Sequence, residues 1–187
     1  MEIIKKDKIL TIPNALSAFR LVLAAVFAVV YCAFESEESH WASIGILVLS
    51  GITDMLDGKI ARKFNMISEL GKVLDPLGDK VTQAVLACCL ATKYDPMKLL
   101  FLVLFVKEIT QLCYGAYAVK KAGRNDGAKW CGKITTVYLY VMMGLLLLIP
   151  NVPVPVYYTM IFLGIGLLIW SMISYLLTFR SMVKEAE

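Results

Sequence analysis

Four aspartates that lie close together in the sequence are the residues best suited to chemistry. Asp54 and Asp57 are three residues apart, and Asp75 and Asp79 are four residues apart. In an α-helix, both spacings place the paired side chains on one face, one turn apart. Two adjacent helices would therefore direct four carboxylates into one small volume.

Such a group of acids needs a positive partner, because each aspartate inside a bilayer costs about 2.5–3.5 kcal/mol on insertion scales. Carboxylate oxygens are the hard ligands that Mg²⁺ and Mn²⁺ prefer. Two such ions, roughly 4 Å apart, would neutralise the acids and hold a pyrophosphate in line for displacement. We therefore predict a site for two divalent ions; its ligands are Asp54, Asp57, Asp75 and Asp79. A simpler interpretation is that these acids are helix-end charges that reach water.

Small residues and an arginine accompany the acids. Gly58 and Gly71 allow a ligand or another backbone to approach closely. Ala61 follows Asp57 by one helical turn, and its small side chain leaves space on that face of the helix. Arg62 lies eight residues after Asp54, on the same face, where its guanidinium suits a phosphate.

The elements that must position these residues are predicted to be membrane helices. The chain has 187 residues, of which 59% are hydrophobic, and its charges lie in patches between long apolar runs. A spanning helix needs about 20 mostly apolar residues. We predict a single-domain, all-α integral membrane protein over residues 1–187. It would be a bundle of six transmembrane helices, near residues 14–34, 40–62, 67–92, 96–120, 133–150 and 154–178.

The charge pattern predicts an orientation. Lysines and arginines lie before the first helix, in the second and fourth loops and after the last helix, whereas residues 35–38 contain only acidic charges. Basic segments favour the cytoplasm, so both termini are expected to be cytoplasmic. The net charge of +4 reflects these loop residues. Since they form no stripe interleaved with aromatics, we expect no nucleic-acid partner.

The spacing of these residues resembles the full motif of the CDP-alcohol phosphotransferase family. The matching pattern is Asp54-x2-Asp57-Gly58-x2-Ala61-Arg62-x8-Gly71-x3-Asp75-x3-Asp79. Chain length and the six predicted helices are also similar to that family. The resemblance implies a homodimer in a membrane, expected to be a bacterial plasma membrane, with an active site open to the cytoplasm.

The same resemblance implies a reaction and a role for each motif residue. A phosphatidyl group would pass from CDP-diacylglycerol to a small alcohol, with Mg²⁺ or Mn²⁺ as cofactor and release of CMP. Asp79 would be the general base. The residues implied to hold the CDP group are Asp54, Asp57, Gly58, Ala61, Arg62, Gly71 and Asp75.

Two segments, 75–80 and 12–17 with Arg20, resemble the members of the family that make phosphatidylglycerophosphate, and also the related cardiolipin synthases. The acceptor implied is glycerol-3-phosphate, or alternatively phosphatidylglycerol; serine and inositol phosphate are less favoured. Two positions differ from those members. Gly78 stands where they usually have alanine, and Lys107-Glu108 stands where they have an Arg-Glu pair.

Cations are needed to bind a phosphorylated acceptor, and the candidates are Lys107, Lys133 and Arg180. Lys133 and Arg180 also fit ordinary cytoplasmic loop charge, and Lys107 with Glu108 also fits a structural ion pair. Three polar residues in the first helix are candidates for lining the nucleotide site: Asn14, Ser17 and Arg20. Asn14 and Ser17 can alternatively bond within the bundle.

Two other classes of protein use intramembrane acids. A transporter would spread its acids through the membrane depth and often contains a repeat, whereas here the acids cluster and we find no repeat. Membrane prenyltransferases hold pyrophosphate through two well-separated acidic motifs in a longer chain. Metal-dependent release of CMP from CDP-diacylglycerol distinguishes the predicted enzyme from both.

Overall fold

Six α-helices make up nearly all of the structure, a computed structural model that describes residues 12–33, 36–63, 69–123, 129–149 and 151–185. In chain order they are α1 (Ile12–Ala33), α2 (Glu37–Lys63), α3 (Glu69–Lys93), α4 (Pro96–Ala122), α5 (Trp130–Leu148) and α6 (Val154–Glu185). No strand occurs in these residues. The prediction of an all-α fold is confirmed.

The chain forms two compact units, residues 1–89 and 90–187, which divide near the end of α3. In the first unit, α1 packs along α2. The side chains at its centre are small or apolar, among them Leu23, Ala24 and Phe27 of α1 and Leu86 and Ala87 of α3. This core holds the polar residues of α1 at a fixed depth beside α2 and α3.

Glycines allow close helix packing in the second unit, where α6 contacts both α4 and α5. A Cβ on Gly115 of α4 would lie 3.0 Å from the Phe179 ring of α6, and one on Gly164 of α6 would lie 3.2 Å from Leu100 of α4. A larger residue at either position would therefore press against the facing side chain. Membrane helices commonly associate through such small residues.

Polar caps and tertiary contacts explain helix ends that differ from the prediction. α2 begins at Glu37 rather than at 40, because Ser36 Oγ accepts a hydrogen bond from the Ser39 backbone N–H at 3.1 Å. At the start of α5, the Lys129 backbone N–H donates to Tyr175 Oη of α6 at 3.0 Å. That hydrogen bond fixes the backbone at Lys129, so α5 begins at Trp130, three residues before its predicted start.

α6 continues to Glu185, seven residues beyond its predicted end. Packing explains the extension: Phe179 lies against Gly115, and Met182 is buried. Both residues belong to the segment that hydropathy alone assigned to a cytoplasmic tail. The apolar surface that they bury favours continuing the helix.

Four of the six helices are long and apolar enough to cross a membrane: α1 over Asn14–Ala33, α4, α5 and α6. Their outward surfaces carry many exposed large apolar side chains, such as Val29, Leu112, Val137 and Leu163. Such a surface is stable in lipid rather than in water. The protein is therefore an integral membrane protein. α2 and α3 contain acids and bases that lower their hydropathy, so six spans remain a prediction.

A pair of thiols provides a test of how α1 and α3 pack. Cys32 Sγ of α1 lies 3.7 Å from Cys89 Sγ of α3. Since a disulfide bond is about 2.05 Å long, a small side-chain rotation would join them. Copper-phenanthroline oxidation should therefore yield a peptide containing a Cys32–Cys89 cross-link in mass spectrometry. The Cys32→Ser variant, which keeps Cys88 and Cys89, should give no such peptide. A dominant cross-link to another cysteine would contradict this packing.

Candidate active site

One guanidinium connects the two acidic segments. Arg20 of α1 forms an ion pair through Nη2 with Asp54 Oδ1 of α2 at 2.5 Å. Its Nη1 donates to Asp79 Oδ1 of α3 at 2.7 Å. These are short, charge-assisted contacts. One residue of each aspartate pair therefore lies within reach of the same cation, although the two are separated by 25 positions in the sequence.

The three side chains differ in their exposure. The Arg20 side chain is 2% exposed, whereas those of Asp54 and Asp79 are 48% and 54% exposed. The guanidinium thus lies on the interior side of the carboxylates, and each carboxylate also has an accessible side. A buried arginine is tolerated only when it is paired, so the carboxylates stabilise its position as much as it stabilises theirs.

The sequence of α1 explains why Arg20 reaches this position. Asn14, Ser17 and Arg20 recur every three residues and are all buried, so they form a polar stripe on the inward face of an otherwise apolar helix. The structure places Arg20 of this stripe on the acids. Whether Asn14 and Ser17 contact a nucleotide stays a prediction.

Local features of α3 make room for the guanidinium. Pro76 lies within the helix and removes one backbone hydrogen-bond donor there. Gly78 is buried under Arg20: a Cβ at this position would be 3.5 Å from Nη1 and 3.7 Å from Cδ. The arginine therefore packs across the backbone immediately before Asp79.

The structure does not describe the side-chain positions of five motif residues: Asp57, Gly58, Ala61, Arg62 and Asp75. Their predicted roles stay predictions. Gly71 is described and buried. Within the described residues, no group of three or more His, Cys, Asp or Glu side chains forms a metal site, because only Asp54 and Asp79 of the predicted four ligands are included there.

The donor set that is described fits a divalent cation. Two carboxylates from different helices converge, and each has an accessible side; such oxygens are preferred by Mg²⁺ and Mn²⁺. Asp57 follows Asp54 by three residues in α2, and Asp75 precedes Asp79 by four in α3. Their backbone positions are thus one helical turn from a residue that Arg20 contacts.

Two polar residues of α3 beyond Asp79 were not singled out from the sequence. Thr82 Oγ1 and Gln83 Nε2 are buried and have no hydrogen-bond partner among the described residues. Gln83 follows Asp79 by four residues, so it lies one turn further along the same face. That spacing was the signal that could have identified it. A buried donor without a partner is costly, and its position favours a water or ligand next to Asp79.

The acceptor candidates Lys107, Lys133 and Arg180 lie in the second unit. Lys107 is 7% exposed and forms an ion pair with Glu108 at 2.6 Å. Lys133 Nζ lies 5.2 Å from the centre of the Trp130 ring, a cation–π contact. Arg180 is exposed near the end of α6.

Two further polar residues with buried oxygens lie near the level of Lys107 along α4 and α6. The contacts of Leu100 with Gly164 and of Gly115 with Phe179 show that α4 and α6 run parallel with a constant offset. The same offset places Lys107 level with Ser171, whose buried Oγ has no partner among the described residues. Gln111, one turn after Lys107, has a buried Oε1 in the same condition.

The sequence of this chain matches a known protein family. Residues 10–176 match the sequence profile described as CDP-alcohol phosphatidyltransferase. The chain is 32% identical over 132 residues to the CDP-diacylglycerol–glycerol-3-phosphate 3-phosphatidyltransferase of Aquifex aeolicus; the match covers 70% of this chain and 71% of that protein.

Two further relatives differ in how much of the chain they match. The protein of the same name from Shigella flexneri is 29% identical over 174 residues, which cover 91% of this chain and 95% of its own length. A cardiolipin synthase (CMP-forming) from Streptomyces coelicolor is 41% identical, but only over 80 residues, 42% of this chain and 37% of that protein.

The space above Gly78 leads to a prediction about stability. In Gly78→Ala, the new methyl group would make ordinary van der Waals contact with Arg20, while alanine favours a helix over glycine by about 1 kcal/mol. We expect the free energy of unfolding to rise by roughly 0.5–1 kcal/mol, measured by denaturant unfolding in detergent. Gly45→Ala, where no atom lies within 4 Å, is the matched control for helix propensity. A clear loss of stability confined to Gly78→Ala would contradict the packing of Arg20.

Proposed function

This chain belongs to the CDP-alcohol phosphatidyltransferase family, and on that premise we propose that it transfers the phosphatidyl group of CDP-diacylglycerol to glycerol-3-phosphate. The products are phosphatidylglycerophosphate and CMP. The convergence of Asp54 and Asp79 on Arg20 is the observation that supports an active site in the first unit. Acids on adjacent membrane helices with a shared cation mark a functional site.

The reaction displaces CMP from phosphorus. The acceptor hydroxyl oxygen forms a bond to the phosphorus that carries the lipid, and the bond from that phosphorus to the CMP oxygen breaks. Asp79 accepts the hydroxyl proton as general base. Its carboxylate is half exposed, so an acceptor can approach it.

The other motif residues bind the donor in this proposal. Asp54, Asp57, Gly58, Ala61, Arg62, Gly71 and Asp75 hold the CDP group. Arg62 places a guanidinium where the leaving phosphate gathers negative charge. Asp54, Asp57, Asp75 and Asp79 would hold Mg²⁺ or Mn²⁺, which neutralises the diphosphate oxygens when bound.

Acceptor choice rests on the relatives and on the cations of the second unit. The two relatives matched over most of both chains carry the glycerol-3-phosphate name, whereas the cardiolipin synthase matches cover less than half of this chain. Lys107, Lys133 and Arg180 are proposed to bind the acceptor phosphate. The buried Lys107–Glu108 pair supports this, since charged side chains within a membrane helix are costly and often mark functional sites.

The proposed setting is the plasma membrane of a bacterium. Six helices would span it as one domain over residues 1–187, with both termini and the active site on the cytoplasmic side, and the protein would act as a homodimer. The basic loops support the orientation, and the exposed apolar surfaces of α1, α4, α5 and α6 support the bilayer.

Identification of the lipid product tests the function. Purified protein is supplied with CDP-diacylglycerol and Mn²⁺, and separately with glycerol-3-phosphate, phosphatidylglycerol, serine or inositol phosphate. We expect phosphatidylglycerophosphate from glycerol-3-phosphate alone, with CMP released in equal amount, and no product after chelation with EDTA. Cardiolipin from phosphatidylglycerol would favour the second candidate, and turnover that survives EDTA would contradict the metal-dependent mechanism.

Replacement of the proposed base separates binding from turnover. Asp79→Asn keeps the shape of the side chain but cannot accept the acceptor proton, so turnover should fall by at least about 100-fold. Binding of the CDP group should change less than about tenfold, measured by calorimetry with CDP in the presence of Mn²⁺. An equal loss of binding and turnover would make Asp79 a ligand rather than a base.

A further inference from the structure

We propose that Arg20 is a positioning residue for the acidic centre rather than a ligand of the nucleotide. This inference rests on the proposed function, since it concerns how the carboxylates are held ready for a divalent cation. Arg20 contacts Asp54 and Asp79 at 2.5 Å and 2.7 Å. It therefore ties a residue of α2 to a residue of α3 from a third helix.

Burial decides which side of the carboxylates Arg20 occupies. Its side chain is 2% exposed, and those of the two aspartates are about half exposed. Gly78 lies against the guanidinium and its Cδ, so the arginine packs on protein along its length. A substrate that reaches the acids from their exposed sides meets the carboxylates before it meets Arg20.

The forked shape of the guanidinium allows one side chain to hold both carboxylates. Nη1 and Nη2 each bond a different carboxylate, and a planar guanidinium holds its two donors at a fixed spacing. The spacing of Asp54 and Asp79 is thereby set before any cation arrives. Hydrogen-bonded partners of metal ligands commonly contribute 10–100-fold to metal affinity in this way.

The positive charge of Arg20, considered alone, would weaken metal binding rather than strengthen it. A buried positive charge repels a divalent cation, so removal of Arg20 would tighten metal binding if its charge were the dominant influence. Removal would loosen metal binding if the orientation of the carboxylates were dominant. The two contributions therefore predict changes of opposite sign, and a direct contact with the nucleotide predicts no change in metal affinity when the nucleotide is absent.

The test measures Mn²⁺ affinity by the electron paramagnetic resonance signal of free Mn²⁺, with purified full-length protein in detergent and no nucleotide. Arg20→Lys keeps a positive charge beside Asp54 and Asp79 but has no fork, so it should fold. We expect Arg20→Lys to weaken Mn²⁺ binding by about tenfold and Arg20→Gln by about 10–100-fold. Lys120→Gln, which removes an exposed charge at the end of α4, should not alter it.

Circular dichroism and the unfolding midpoint are recorded for the same variants. In a double-mutant cycle on Mn²⁺ affinity, the effect of Arg20→Lys should be smaller when Asp54→Asn is already present. A purely structural role would instead lower stability and leave the cycle additive.

Tighter or unchanged Mn²⁺ binding in Arg20→Lys and Arg20→Gln would overturn the positioning role while leaving the proposed reaction intact. Weaker binding of CDP alone would assign Arg20 to the nucleotide and overturn it equally. A wild-type protein that binds no Mn²⁺ under any of these conditions would overturn the metal-dependent function, and the positioning role with it.

Discussion

The ion pairs of Arg20 determine much of the first unit, because neither partner is stable there alone. A guanidinium that is almost fully buried requires negative charge beside it, and acids on membrane helices require positive charge. Asp54 and Asp79 satisfy Arg20, and Arg20 satisfies part of the charge of the acids. Three helices are consequently fixed to one another at the depth where α1 carries its polar stripe of Asn14, Ser17 and Arg20.

Away from these polar positions, the exposed helix surfaces are suited to contact with lipid. Exposed side chains on α1, α4, α5 and α6 are mostly apolar, and Gly115 and Gly164 let α4 and α6 approach each other closely. Among the described residues of the second unit, the buried polar side chains include Thr135, Ser171 and Lys107, which pairs with Glu108.

The spacing of acids predicted that Asp54 and Asp79 belong to one place, since helical periodicity and an adjacent pair of helices require little more. It did not predict that Arg20 joins them, because a long-range ion pair leaves no periodic signal; Arg20 was instead assigned to the nucleotide. Helix ends were missed where tertiary contacts decide them, as when Tyr175 accepts a bond from Lys129 at the start of α5 or Phe179 extends α6. α1, α4, α5 and α6 are long and apolar enough to cross a membrane, whereas the four aspartates of the predicted site belong to α2 and α3.

The most direct test of the shared acidic centre is an experimental structure of the protein with Mn²⁺ and CDP, in which anomalous scattering at the manganese edge locates the metal. We expect an anomalous peak within coordination distance, about 2.0–2.2 Å, of carboxylate oxygens from both α2 and α3, with Arg20 still in contact with Asp54 and Asp79. A metal held by one helix alone, or Asp54 and Asp79 directed to separate sites, would contradict it.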